Sequence, residues 1–142
     1  MKRLILLAVV LVGCGGSTEP TEPVRLSHAY LAQTLGGDST ARARWSEGSY
    51  TFTTPTVRLY VEDDQQYRYS VFLQGKLDGT AVSRWESGRI IRVGVPDSVV
   101  FEPDSSSATF AKRWGGRLKE GGSVLTGTWY VGGAYRSVTF RD

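Results

Sequence analysis

Residue types able to do chemistry are few and scattered. The chain has one cysteine, Cys14, and one histidine, His28. A Ser-His-Asp or Cys-His centre would have to be built on His28, which lies early in the chain with no Ser-Gly elbow beside it. One histidine and one cysteine cannot furnish a zinc set. No Gly-rich loop leads from a strand into a helix, so no cradle for nucleotide phosphates is expected. Carboxylates cluster at Glu62-Asp63-Asp64 and again at Glu102 and Asp104. Calcium loops stagger their ligands at alternate positions and turn on a glycine. Adjacent residues in a hairpin point different ways, so both clusters read as solvated loops. No catalytic residue, metal site or cofactor is expected, and the chain reads as a non-enzyme.

One element recurs. Arg44-Trp45-Ser46-Glu47-Gly48 is echoed by Arg84-Trp85-Glu86-Ser87-Gly88 and, more loosely, by Arg113-Trp114-Gly115-Gly116. Each copy puts an Arg-Trp pair just before an expected turn. Arg44, Trp45, Arg84, Trp85, Arg113 and Trp114 are therefore the candidate ligand-binding residues. They would form an aromatic and cationic rim that stacks on sugars or grips anionic groups. The competing reading has each Trp closing the end of the domain while an Arg lies over it.

Cys14 raises a different question. Before it, Lys2 and Arg3 precede nine apolar residues, 4–12. That is the n-region and h-region of a secretory signal, and it is shorter than the ~20 residues a bilayer span needs. Leu11-Val12-Gly13-Cys14 then resembles the lipobox of bacterial lipoproteins. The resemblance implies cleavage after Gly13 and acyl chains, palmitate among them, on Cys14. Several chains make a stable anchor where one would be marginal. Gly15, where an Asp would signal inner-membrane retention, favours the outer membrane, with the domain facing the periplasm or the cell surface.

Composition sets the domain plan. Residues 1–13 read as the signal peptide and 14–23 as the lipidated Cys with its tether. The Gly, Ser, Thr, Glu and Pro of that tether bury little apolar area, and its nine residues after Cys14 reach roughly 30 Å at full extension. Residues 24–142 suit one domain with one core. The chain carries 17 basic and 14 acidic residues, a net charge of +3. That is no nucleic-acid footprint. With Cys14 committed to lipid, no thiol remains for a disulfide. Four Trp, seven Tyr and five Phe must supply the packing instead.

From about residue 49 the hydropathy alternates with period two. Val57, Leu59 and Val61 alternate with Thr56, Arg58 and Tyr60; similar runs follow at 67–74, 124–131 and 134–141. These predict half-buried strands. Asp78-Gly79, Ser87-Gly88, Gly121-Gly122 and Gly132-Gly133 supply turns. Residues 24–35 fit either a strand or a short helix, and we prefer a strand ending at Gly36-Gly37. The expected fold is all-β: an antiparallel up-and-down meander of about eight to ten strands, closing into a small barrel. Strand number, size and Gly-rich hairpins resemble small lipocalin-like lipoprotein domains. Thr126-Gly127-Thr128-Trp129-Tyr130 is similar to the opening strand of streptavidin-like proteins, but Val131-Gly132-Gly133 follows it, and no biotin site is predicted. A membrane-spanning barrel needs strands of about 9–11 residues with an apolar outer band, and the runs here are mostly shorter.

Two functions are considered, the first as the expected one and the second as its alternative. The first is a lipid-anchored binding module for a small apolar or amphipathic ligand, which requires an interior cavity of a few hundred Å³. The second is a structural or interaction lipoprotein of the envelope, meeting a protein or glycan partner and including inhibitors of envelope hydrolases. It requires a filled core and an exposed aromatic patch.

Overall fold

The computed structural model describes residues 22–63, 67–92, 95–104 and 112–142. The expected signal peptide, the expected cleavage site after Gly13, Cys14 with its expected lipid, and most of the expected tether lie outside the described residues, as does Asp64. Among the described residues ten strands follow one another: β1 (Ala29–Leu35), β2 (Asp38–Ser39), β3 (Arg44–Glu47), β4 (Tyr50–Asp63), β5 (Arg68–Leu77), β6 (Thr80–Arg92), β7 (Ser98–Pro103), β8 (Trp114–Lys119), β9 (Val124–Val131) and β10 (Ala134–Arg141). A 3-10 turn, Glu120–Gly122, joins β8 to β9.

Every pairing is antiparallel, and from β4 to β10 each strand pairs with the next. β1 closes the circle, pairing with β10 on one side and β4 on the other. Eight staves, β1 and β4–β10, therefore form a closed barrel, the fold expected from the alternation. β2 hangs on β1 and β3 on β4.

Closure depends on the shape of β4. Its first residues, 50–53, pair with β3, while Arg58, Leu59 and Tyr60 pair with β1. Between these two stretches the register on β5 shifts at residues 53–56 and Thr54 has φ +50°. Pro55 sits in this bulge, where its missing N–H removes no ladder bond. The bulge bends the strand so that one edge serves two neighbours in turn.

Alternation sorts the side chains. Val57, Leu59 and Val61 of β4, Tyr69, Val71 and Leu73 of β5, and Leu125, Trp129 and Val131 of β9 face inward and are buried. β4 and β6 run to 14 and 13 residues, longer than the sequence runs suggested. The turn expected at Ser87-Gly88 is absent, because both residues lie inside β6. Gly88 is there for space: a Cβ on it would stand 2.1 Å from the Glu102 carbonyl oxygen of β7.

Residues 24–35 resolve into two parts. Residues 22–28 are irregular, and β1 then ends where expected, at Gly36-Gly37. The irregular part straps one mouth of the barrel. Val24 N–H donates to the Pro96 carbonyl at 2.9 Å. Arg92 donates to the carbonyls of Val24 and Pro96 at 2.8 and 2.6 Å. The Tyr30 hydroxyl accepts from Ser27 N–H at 2.7 Å and donates to the Gly122 carbonyl at 2.6 Å. Val24 and Leu26 press onto the core beneath.

Candidate functional site

The barrel interior is built of rings. Phe101 and Trp114 stack at 3.9 Å between centroids, and Tyr69 meets both edge-on at 5.0 and 6.0 Å. Trp129 and Phe140 lie 6.4 and 6.3 Å from Trp114. Such pairs contribute about 0.5–1.5 kcal/mol each beyond their burial. Among these rings sits one carboxyl group. Glu86 of β6 is 5% exposed. Its Oε1 accepts from the Tyr69 hydroxyl at 2.7 Å and from Trp114 Nε1 at 2.8 Å. Burial pushes its pKa up, and the hydrogen bonds from Tyr69 and Trp114 oppose that only in part. Burial and the neighbouring carboxylate push the Tyr69 phenol up as well. Trp129 Nε1 is buried without a hydrogen-bond partner among the described residues.

Sequence inspection did not single out Glu86. The signal was present, since Glu86 shares strand parity with Ile90 and therefore faces inward. The Arg-Trp repetition drew attention to its neighbours instead.

The three Arg-Trp pairs do not share a rim. Trp45 lies inside, 5% exposed, and closes the mouth opposite the strap. It stacks on Phe52 at 4.4 Å with 7° between planes. Arg84 stands 5.4 Å from the Phe52 centroid and Arg136 stands 5.1 Å from that of Trp45. Glu47 ties the group together. It accepts from Trp45 Nε1 at 2.8 Å and from Arg84 Nη1 and Nη2 at 2.6 and 2.7 Å. The Arg84 hydrogen bonds hold the Glu47 pKa down, and Glu47 in turn raises that of Arg84. The arginines over this plug thus come from β6 and β10, while Arg44, adjacent to Trp45 in sequence, is exposed on β3. Trp114 is in the core, bonded to Glu86. Arg113 is exposed and 3.3 Å from Glu102. Trp85 lies in mid-strand rather than before a turn, and points outward, 55% exposed.

Trp85 belongs to a different constellation. Register places Leu31 opposite Arg58, Arg58 opposite Phe72, and Phe72 opposite Trp85. Directly opposed residues in an antiparallel sheet share a face. These four therefore form one row across the outside of β1, β4, β5 and β6. Leu31 is 43%, Phe72 46% and Trp85 55% exposed. Tyr60, one pleat along β4, meets Phe72 edge-on at 5.8 Å. Arg58 is exposed and makes no ion pair among the described residues. Tyr60 and Phe72 occupy the polar parity of their strands, which is the sequence sign that this wall is unusual.

The remaining candidates are placed simply. His28 is exposed, and its carbonyl accepts from Val61 N–H at 2.9 Å. Glu62 accepts from the Ser70 hydroxyl. Glu102 pairs with Arg89 at 3.1 Å, and Asp104 with Arg68. No group of three metal-ligating side chains gathers among the described residues. An open depression of about 490 Å³ lies beside the strapped mouth, lined by Tyr67, Arg89, Ile90, Ile91 and Arg92.

No protein family, curated protein or solved structure matches the chain.

Proposed function

We propose that the protein is a non-enzymatic envelope lipoprotein that docks a partner on the outer wall of its barrel. The observation that carries this reading is the row Leu31, Arg58, Phe72 and Trp85, with Tyr60 beside it. Trp, Tyr, Phe and Arg are the side chains that dominate protein interfaces, and contiguous exposed apolar patches mark interaction sites. The interior supports the same reading. An internal apolar ligand would have to displace the rings of Tyr69, Phe101, Trp114, Trp129 and Phe140, so the inner-ligand reading is the lesser one. Held by acyl chains on Cys14, preferably in the outer membrane, the barrel would present its wall to envelope proteins or glycans.

Two measurements test this. Native mass spectrometry of the protein extracted from its own membrane should show cleavage after Gly13, acyl chains on Cys14 and no internal ligand. A mature mass with unmodified Cys14 overturns the anchor. A photo-crosslinking residue at position 85 should give adducts in the native envelope, and the same residue at Ser137, on the outer face of β10, should not. Equal labelling from both positions removes the wall as the docking face.

A further inference from the structure

The depression beside the strapped mouth shares no residue with the ring cluster or with the outer row. Its volume of about 490 Å³ falls within the range of small-molecule sites, roughly 300–1,000 Å³. Its lining joins the apolar and aromatic side chains of Tyr67, Ile90 and Ile91 to the guanidinium groups of Arg89 and Arg92. No acidic side chain lines it among the described residues.

Both cations are short of anions. Arg89 and Arg113 divide one carboxylate, that of Glu102, at 3.1 and 3.3 Å. Arg92 is half-buried and makes no ion pair among the described residues. Its two hydrogen bonds both leave from Nη2 and end on backbone carbonyls, those of Val24 and Pro96. Its Nη1 and Nε have no acceptor among the described residues. Burial pushes its pKa down, and Asp97, which opposes this, is shared with Arg117 at 3.5 Å.

A bound anion would supply the charge that the carbonyls do not. Guanidinium groups take phosphate and carboxylate in charge-assisted, often bidentate pairs. A bare anion would leave the apolar part of the lining wet. Tyr67 is 48% exposed, and Val95, between β6 and β7 on the same mouth, is 46% exposed. The lining therefore fits an anionic head on an apolar body. With no carboxylate to hold it, a head that also carries an ammonium gains nothing here.

The entry of the chain points to the source. Val24, whose carbonyl Arg92 holds, directly follows the expected tether, which reaches roughly 30 Å from Cys14. With Cys14 acylated, the depression lies within reach of the lipid headgroups. This step rests on the anchor proposed above.

We infer that the depression binds the phosphate head of an anionic phospholipid of the anchoring leaflet. Arg89 and Arg92 hold the phosphate, while Tyr67, Ile90 and Ile91 lie against the glycerol and the start of the acyl chains.

The first test uses the mature chain carrying Cys14→Ser, which has no anchor, and dihexanoyl phosphatidylglycerol kept below its micelle concentration. This lipid should bind at least ~10-fold more tightly than inorganic phosphate or dihexanoyl phosphatidylcholine. It should shift the backbone amide resonances of residues 67 and 89–92. Arg89→Gln and Ile91→Glu should each weaken it by ~10-fold or more, with the thermal melt unchanged, and Trp85→Ser should leave it unchanged. Equal binding of inorganic phosphate overturns the lipid, and no binding of any probe overturns the site. A loss in Trp85→Ser as large as in Arg89→Gln moves the lipid to the outer row and overturns the depression.

The second test uses the acylated chain from its own membrane. Amide exchange at residues 67 and 89–92 should be slower in vesicles of phosphatidylethanolamine and phosphatidylglycerol than in phosphatidylethanolamine alone. Soluble lipid binding without this slowing refutes the leaflet as the source. A mature mass with unmodified Cys14 refutes the anchor and the leaflet together, and the first test then decides the depression by itself.

Discussion

Glu86 is the residue that most constrains how this barrel behaves. A carboxyl group pushed up by burial binds its proton more tightly in the folded chain than in the unfolded one. Its stabilising effect is therefore full below the unfolded carboxyl pKa, about 4.3, and is lost as pH rises through the raised value. Urea denaturation from pH 4 upward should show stability falling across that window, and Glu86→Gln, which keeps an acceptor for Tyr69 and Trp114, should flatten the fall. A wild-type profile as flat as that of Glu86→Gln would refute the assignment. Gly132 gives a second test at this scale. Its φ is +61°, and a Cβ on it would meet Trp45 Nε1 at 2.2 Å. Gly132→Ala should therefore cost roughly 2–4 kcal/mol by denaturant unfolding. Trp114→Ala should cost about 3–5 kcal/mol and leave Glu86 short of a donor, whereas Trp85→Ser should stay within about 0.5 kcal/mol. The Arg-Trp pairs look alike in sequence and differ this much in structure because parity, not the dipeptide, decides which way a Trp faces.

At the scale of elements, the strap and β4 decide how the barrel closes. Tyr30→Phe removes the hydroxyl that accepts from Ser27 and donates to the Gly122 carbonyl, leaving both without that partner. The expected cost is about 1–3 kcal/mol, with faster amide exchange at Ser27 and little change in β5 and β6. Uniform acceleration across all strands would mean the strap is not a separable unit. Most strands were legible in the sequence because one face meets the core and the other meets water, which writes period two directly into residues such as Val57, Leu59 and Val61. The β5–β6, β8–β9 and β9–β10 turns were legible from their glycines for a related reason, since Gly79, Gly121 and Gly132 take positive φ. Gly88 misled because its requirement is room for the Glu102 carbonyl, and a sequence does not distinguish a glycine needed for space from one needed for a turn. The docking row was not legible either. Leu31, Arg58, Phe72 and Trp85 come from four strands, and only register brings them side by side.

At the scale of the whole molecule, closure rests on β1, whose pairings with β10 and β4 are the ones that join strands distant in sequence. Removing residues 22–35 would leave β10 and the second half of β4 with open edges, and exposed edges recruit other chains. That truncated chain should sediment as larger species than the full chain; a truncated chain that sediments no larger would show that closure is dispensable. The same closed shape divides the four Trp residues unequally. Trp45, Trp114 and Trp129 are shut inside, and Trp85 stands in water at the end of the outer row. The protein therefore carries its own optical probe. Its emission should resolve into a blue component, inaccessible to acrylamide, and one red, quenchable component that vanishes in Trp85→Phe. Whatever covers the wall should shift that single component to the blue and shield it, so occupancy can be followed by light without attaching a label.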